Sequence, residues 1–242
     1  MNDLFDSIDD PLEEEASSSQ KSVASSPDCG LYLILSPTAD HDKQAFQLGQ
    51  ALHAANRFSA YSLNRHVVEF RPEIVHGDDS LTEIAKKYCD VTQKNGFVFL
   101  IYDDIILARD IGADGVLCSS LKKCSDARKM LDENAIIGLK ASAQTQAQSA
   151  ISLELDYVLF SRTDGDSSLI ELLNWWTTTT DIPAAIEGNF DQENCAPFIL
   201  AGATFIDASH HIWTHPSGNP MQGTVNMLDA IERHGTKPQA LN

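Results

Sequence analysis

Residues 97–160 read FVFLIYDDIILARDIGADGVLCSSLKKCSDARKMLDENAIIGLKASAQTQAQSAISLELDYVLF. Four short apolar runs in this segment are separated by longer patterns typical of amphipathic helices. The runs are Phe97–Ile101, Gly115–Cys118, Ile136–Leu139 and Tyr157–Phe160. Because each run is apolar on both faces, it predicts a buried parallel strand. Roughly twenty residues separate successive runs, which is the length of one strand, one loop and one helix.

Four further runs extend this alternation in both directions. They are Leu31–Leu35, Phe58–Leu63, Pro183–Ile186 and Thr204–Ile206. Eight repeats of strand and helix favour a closed α/β (β/α)8 TIM barrel, and 242 residues suit one such domain. An open doubly wound sheet is the alternative. No GxGxxG pattern follows any of the eight runs, which argues against the dinucleotide-binding form of that sheet.

The two ends of the chain differ from the barrel in composition. Residues 1–29 contain eight acids, one lysine and seven serines, which predicts a disordered acidic tail. A short helix around residues 4–12 could dock on a protein partner. We therefore divide the chain into this tail, a barrel over residues 30–236 and a C-terminal tail over 237–242.

The overall composition excludes several classes of partner. A formal net charge of −18 disfavours binding to nucleic acid and to anionic membranes, although a local site for a small phosphate is still possible. No apolar run approaches the roughly 20 residues of a membrane helix. The acidic start is unlike a secretory leader, and the five cysteines are scattered. These features predict a cytoplasmic protein with reduced thiols and no membrane segment.

Seven short motifs accompany the predicted strands in a fixed order. They are Leu31–Ile34, Ile101–Asp104, Gly112–Val116, Ile136–Leu139, Asp156–Val158, Ile182–Gly188 and Ala201–Ala203. In order and spacing they resemble the thiamine phosphate synthase/TenI family, although most of them belong to the scaffold. The resemblance implies a transferase of thiamine biosynthesis that joins a pyrimidine pyrophosphate to a thiazole phosphate and releases pyrophosphate. It also implies Mg²⁺ held by carboxylates and phosphate bound by glycine-rich loops after the last strands.

The resemblance places Asp103 at the first of the family's two metal carboxylates. The second carboxylate should fall at position 122, where this chain has Lys122, and a lysine cannot bind magnesium. Losing one of two anionic ligands should weaken the site severely. A structural role is the alternative for Asp103 and Asp104, because acids favour the N-termini of helices.

The resemblance also suggests residues that bind phosphate. With the second strand at Phe58–Leu63, Asn64 and His66 replace the family's pyrophosphate donors. Gly188 is the survivor of a glycine pair after the seventh strand, with Glu187 in place of the other glycine. The loop after the eighth strand, with Ser209, completes the expected phosphate site.

Two lysines stand where the family has an acid and a serine, namely Lys122 and Lys140. One hypothesis is that they replace the charge of magnesium and form a metal-free anion pocket. A Schiff-base role is a second hypothesis. A third is that these lysines pair with Asp103 or extend into solvent.

Two functions therefore remain open. The first is thiamine phosphate synthase-like transfer, with Asp103 on magnesium and Gly188 on phosphate. The second is a non-catalytic relative that binds a phosphorylated metabolite or a protein partner. Fold alone does not decide between them.

Overall fold

The fold is a closed eight-stranded barrel. The computed structural model describes residues 29–58, 66–72, 81–161 and 166–235. Within these residues, eight parallel strands pair in chain order, and the eighth strand closes on the first. A helix follows each strand, so the predicted (β/α)8 barrel is confirmed. Of the predicted tails, residues 1–28 and 237–242 lie outside the described ranges, whereas Cys29, which was assigned to the N-terminal tail, is buried next to β1.

The strands and helices alternate along the whole described chain. The strands are β1 (Gly30–Leu35), β2 (Val67–Phe70), β3 (Val98–Tyr102), β4 (Gly115–Cys118), β5 (Ile136–Ala141), β6 (Tyr157–Phe160), β7 (Ala184–Ile186) and β8 (Phe205–Asp207). The helices are α1 (His41–Arg57), α2 (Leu81–Lys94), α3 (Ile105–Ile111), α4 (Leu121–Met130), α5 (Gln144–Ser152), α6 (Asp166–Thr179), α7 (Ala196–Leu200), α8 (Ser209–Trp213) and α9 (Pro220–Gly235).

The prediction for the second strand was wrong. Phe58 is the C-cap of α1, where its N–H donates to the carbonyl of Ala55, and β2 begins at Val67. All four residues of β2 are buried, and β2 pairs with both β1 and β3. The run Val-Val-Glu-Phe was overlooked because Glu69 interrupts its apolar character. The other seven strands lie within two residues of their predicted limits.

The hydrophobic core has two parts, one between the strands and the helices and one inside the barrel. The inner part includes Tyr32, Leu100, Leu117 and Tyr157, which come from four different strands. Because side chains alternate along a strand, residues two positions further on also point inward, nearer the carboxyl ends of the strands. By this alternation, several charged side chains point into the barrel mouth.

Helix capping fixes the turns at that end of the barrel. The side chains of Asp40, Asp104 and Ser120 accept hydrogen bonds from the first turns of α1, α3 and α4. The structural role considered for Asp104 is therefore confirmed. All five cysteines lie in the described ranges, where they are buried and form no disulfide bond. The helices in the described ranges include none with the length and apolar character to cross a membrane.

Substitution of Gly115 tests the packing of β4 against β5. A Cβ atom there would lie 1.9 Å from the carbonyl oxygen of Ile136, so Gly115→Ala should lower the free energy of unfolding by about 3 kcal/mol. The matched change Gly49→Ala in α1 meets only Val91 at 3.8 Å and should stabilise by roughly 0.5–1 kcal/mol. Urea denaturation measures both values. A neutral Gly115→Ala would contradict the strand packing.

Candidate functional site at the barrel mouth

Four charged side chains meet inside the barrel near the carboxyl ends of the strands. Arg71, just after β2, donates from Nε to Glu69 Oε1 at 2.6 Å and from Nη1 to Glu187 Oε1 at 2.7 Å. Lys140 of β5 places its Nζ 2.6 Å from Glu187 Oε2. Glu187 follows β7, so the group joins three strands around the mouth. We call these four residues the mouth network.

Beneath the mouth network lies a buried cluster of one carboxylate and two tyrosine hydroxyls. Glu69 is fully buried, and its Oε2 accepts a hydrogen bond from the Tyr32 hydroxyl at 2.7 Å. The hydroxyls of Tyr32 and Tyr157 lie 3.3 Å apart. Both oxygens of Glu69 therefore have donors, which offsets much of the cost of burying a carboxylate.

Tyr102 of β3 adds an aromatic wall beside the two cations. The guanidinium carbon of Arg71 lies 5.3 Å from the centre of its ring, and Lys140 Nζ lies 5.9 Å from it. Both distances are within the range of cation–π attraction. The ring therefore favours the retention of positive charge at this point of the barrel.

The ionisation of the network follows from its contacts. Burial alone would raise the pKa of Glu187, but hydrogen bonds from Arg71 and Lys140 outweigh it and hold the pKa below its usual value. Burial raises the pKa of Glu69 despite the opposing effect of Arg71. The pKa of Arg71 is raised, because its two carboxylate partners outweigh burial. Glu187 and Arg71 are thus charged at neutral pH.

Asp103 lies next to this network but has its own partners. Its Oδ1 accepts from the backbone N–H of Ser119 at 2.7 Å, and its Oδ2 lies 2.9 Å from Lys123 Nζ. Burial would raise the pKa of Asp103, yet the contacts with Ser119 and Lys123 outweigh it and lower the pKa. Asp103 also has a φ of 62°, in the left-handed region that non-glycine residues seldom adopt.

These partners do not fit a magnesium site. The ammonium of Lys123 contacts the oxygen of Asp103 that a metal would need, and a second cation there would meet its repulsion. Among the described residues, no group of three or more His, Cys, Asp or Glu side chains could hold a metal ion. Lys122 supplies no ligand either, since it is exposed on α4.

Asp207 organises the opposite side of the mouth. Its Oδ1 accepts from the N–H of Ser209 at 2.9 Å and from the Ser209 hydroxyl, and the backbone N–H of Gly188 also donates to this carboxylate. Ser209 Oγ in turn accepts from the N–H of Ile34 at 2.6 Å. Burial raises the pKa of Asp207 to about 6, with these hydrogen bonds opposing the rise. The donors predicted for phosphate are therefore engaged by an internal carboxylate.

The structure brings some predicted site residues together and separates others. Lys140, Gly188 and Ser209 lie at the mouth with Asp103, while Lys123 replaces the predicted Lys122 as the partner of Asp103. The structure therefore contradicts the pairing of Lys122 and Lys140 in one anion pocket.

The two donors assigned to the second strand fall elsewhere. His66 precedes β2 at the amino end of the barrel, where its Nδ1 accepts from the N–H of Leu31 at 3.0 Å and its ring stacks on Phe97. The placement of His66 at the phosphate site is wrong, because the strand begins later than predicted. Asn64 lies outside the described residues.

Several residues of the site were not predicted from the sequence. Arg71, Glu69, Lys123 and Asp207 were not singled out, although all four bear charge at or near a strand end. One signal was present: Arg71 directly follows the apolar run around Val67 and Phe70, so it stands at the carboxyl end of a strand. No pattern in the sequence shows that Lys123 and not Lys122 turns toward Asp103.

The family follows from comparison with known proteins. The family model described as thiamine monophosphate synthase matches residues 31–212, which is most of the chain. The chain belongs to this family. The match spans β1 to α8 and so includes every strand that contributes to the mouth.

Individual members of the thiamine monophosphate synthase family are moderately similar. The thiamine-phosphate synthase of Erythrobacter litoralis is 26% identical over 199 residues, covering 78% of this chain and 87% of that protein. That of Hyphomonas neptunium is 32% identical over 145 residues, covering 56% and 66%. A solved thiamine phosphate pyrophosphorylase from Pyrococcus furiosus superposes with a TM-score of 0.69 at 17% identity, covering 86% and 97%. At that identity the superposition shows the shared fold.

The raised pKa of Asp207 predicts a pH dependence of stability. A carboxyl whose folded pKa is raised contributes stability that is present below its unfolded pKa of about 3.9 and is lost as pH rises through about 6. When the pH rises from 5 to 7, the free energy of unfolding of the wild type should therefore fall by about 1 kcal/mol more than that of Asp207→Asn. Urea denaturation at both pH values measures this difference. Equal changes in the two proteins would contradict the assignment.

Proposed function

We propose that the protein is a non-catalytic member of the thiamine monophosphate synthase family that binds a phosphorylated small molecule at the barrel mouth. The family's reaction expels pyrophosphate, so it needs free cations and a metal to stabilise the leaving group. In this chain the corresponding charges are already satisfied internally. That observation carries the proposal.

Two internal ion pairs support the loss of catalysis. Asp103 is neutralised by Lys123 at 2.9 Å, which disfavours magnesium. Glu187 lies between Arg71 and Lys140, where it would repel a pyrophosphate group. The reaction requires a bound metal and free cations at the same time. Either of these two ion pairs by itself would therefore slow the reaction strongly.

Two cations at the mouth, Arg71 and Lys140, support a binding role. Arg71 Nη2 is buried and has no hydrogen-bond partner among the described residues, so it can donate to a ligand oxygen. Lys140 Nζ lies 5.9 Å from the centre of the Tyr102 ring, which Arg71 also contacts. A guanidinium and an ammonium in one mouth suit a phosphate ester better than an uncharged metabolite.

Thiamine phosphate synthesis is the second candidate, and family membership favours it. The relative from Erythrobacter litoralis, which is named for this activity, matches 78% of the chain. Magnesium would then have to displace Lys123 from Asp103. The two candidates differ in one observable, which is magnesium-dependent formation of product.

A direct assay separates the two candidates. The full-length protein is incubated with the pyrimidine pyrophosphate, the thiazole phosphate and magnesium chloride, and thiamine phosphate is measured. We expect no product above the background without protein, because both charge requirements are blocked. Magnesium-dependent turnover that Asp103→Ala abolishes would establish the enzyme and refute the proposal.

Binding is tested separately by thermal denaturation. A panel of phosphorylated metabolites is added without metal, and a true ligand at about a hundred times its Kd should raise the Tm by about 5 °C or more. The dephosphorylated form of each compound is the matched control and should have no effect. If no phosphorylated compound shifts the Tm, the binding function is wrong.

The remaining expectations concern the setting of the protein. We infer a cytoplasmic location from the five scattered cysteines, which suit a reducing compartment. Because residues 1–29 are acidic, we infer that a partner of this segment would be a protein with a basic surface.

A further inference from the structure

The carboxylate of Glu187 stands where a ligand anion would be bound. One of its oxygens is 2.7 Å from Arg71 Nη1 and the other is 2.6 Å from Lys140 Nζ. Guanidinium and ammonium groups bind carboxylate and phosphate oxygens with the same geometry. The pair formed by Arg71 and Lys140 is thus an anion site that already contains an anion from its own chain.

The charges explain why this internal anion matters. Glu69 is fully buried beneath the pair and contacts Arg71 at 2.6 Å, so it offsets one of the two positive charges whether or not Glu187 is in place. With Glu187 in place, two carboxylates balance two cations. When Glu187 leaves, one net positive charge remains to attract a ligand.

The position of Glu187 permits its side chain to leave without moving the barrel. Its side chain is 16% exposed at the rim, whereas that of Glu69 is 0% exposed. Its backbone N–H is held by the carbonyl of Phe160 at 2.9 Å, which fixes the main chain at the end of β7. A rotation about side-chain bonds is therefore enough to turn the carboxylate toward solvent.

We propose that Glu187 is an internal latch on the anion site formed by Arg71 and Lys140. A phosphate or pyrophosphate group enters by displacing the Glu187 carboxylate, and Arg71 Nη2 supplies the additional donor that the larger anion requires. Because Glu187 belongs to the same chain, its carboxylate has a high local concentration at the site. The latch therefore admits only ligands whose anionic group binds the two cations strongly enough to displace this carboxylate. This inference rests on the proposed function, because it names the residues that would receive the ligand's phosphate.

The test uses inorganic pyrophosphate as the probe and isothermal titration calorimetry as the measurement, with full-length protein at pH 7 without metal. Glu187→Gln keeps the size of the side chain and removes its charge. It should bind pyrophosphate at least about tenfold more tightly than the wild type. The matched control is Glu171→Gln, the same change at an exposed position on α6, which should bind as the wild type does.

Two further variants test the residues that form the site. Adding Arg71→Met or Lys140→Met to Glu187→Gln should abolish the gain in affinity. Should Glu187→Gln fold poorly by circular dichroism, Glu187→Gly, which restores the family's glycine, replaces it in every comparison. Equal affinity in the wild type and the charge-removed variant, or no binding by either, would overturn the latch.

The outcomes separate the latch from the proposed function. If Glu187→Gln gains pyrophosphate binding while no phosphorylated metabolite binds the wild type, the latch stands and the proposed function falls. If metabolites bind the wild type and removal of Glu187 changes nothing, the proposed function stands and the latch falls.

Discussion

The ion pairs between Glu187 and the two cations of the barrel mouth are the interaction on which this account depends. A buried carboxylate is costly unless cations compensate it, and buried cations are costly unless carboxylates do. Glu187 meets both requirements by bridging Arg71 and Lys140 across three strands. The same contacts that stabilise the mouth occupy the groups that would bind a leaving pyrophosphate.

The surroundings of Asp103 and Asp207 at the mouth are also balanced by internal contacts. Lys123 neutralises Asp103, the residue predicted to bind a metal, and Asp207 engages the donors of Gly188 and Ser209, the residues predicted to bind a phosphate. Each position that would meet a charged ligand group instead meets a charged group of the chain itself. The scaffold of the family is thus retained while its chemistry is internally balanced.

The barrel was predictable from the sequence because buried parallel strands produce continuous apolar runs at regular intervals. The second strand was the exception, since Glu69 interrupts its run and points into the mouth. That one displacement put His66 at the wrong end of the barrel and left Arg71 out of the predicted site. The choice between Lys122 and Lys123 depends on the rotation of α4, which the spacing of charged residues does not determine. The strand that the sequence does not reveal is thus one in which a charged residue occupies an inward position, as expected where function competes with packing.

A double-mutant cycle between Arg71 and Glu187 tests the account most directly. The free energies of unfolding of the wild type, Arg71→Met, Glu187→Gln and the double variant give their interaction energy. We predict a favourable coupling of about 1–3 kcal/mol, because each single change removes one of the two ionic partners of a largely buried charge. Additive effects within about 0.3 kcal/mol would contradict the account, since Glu187 would then not be bound to Arg71 in solution.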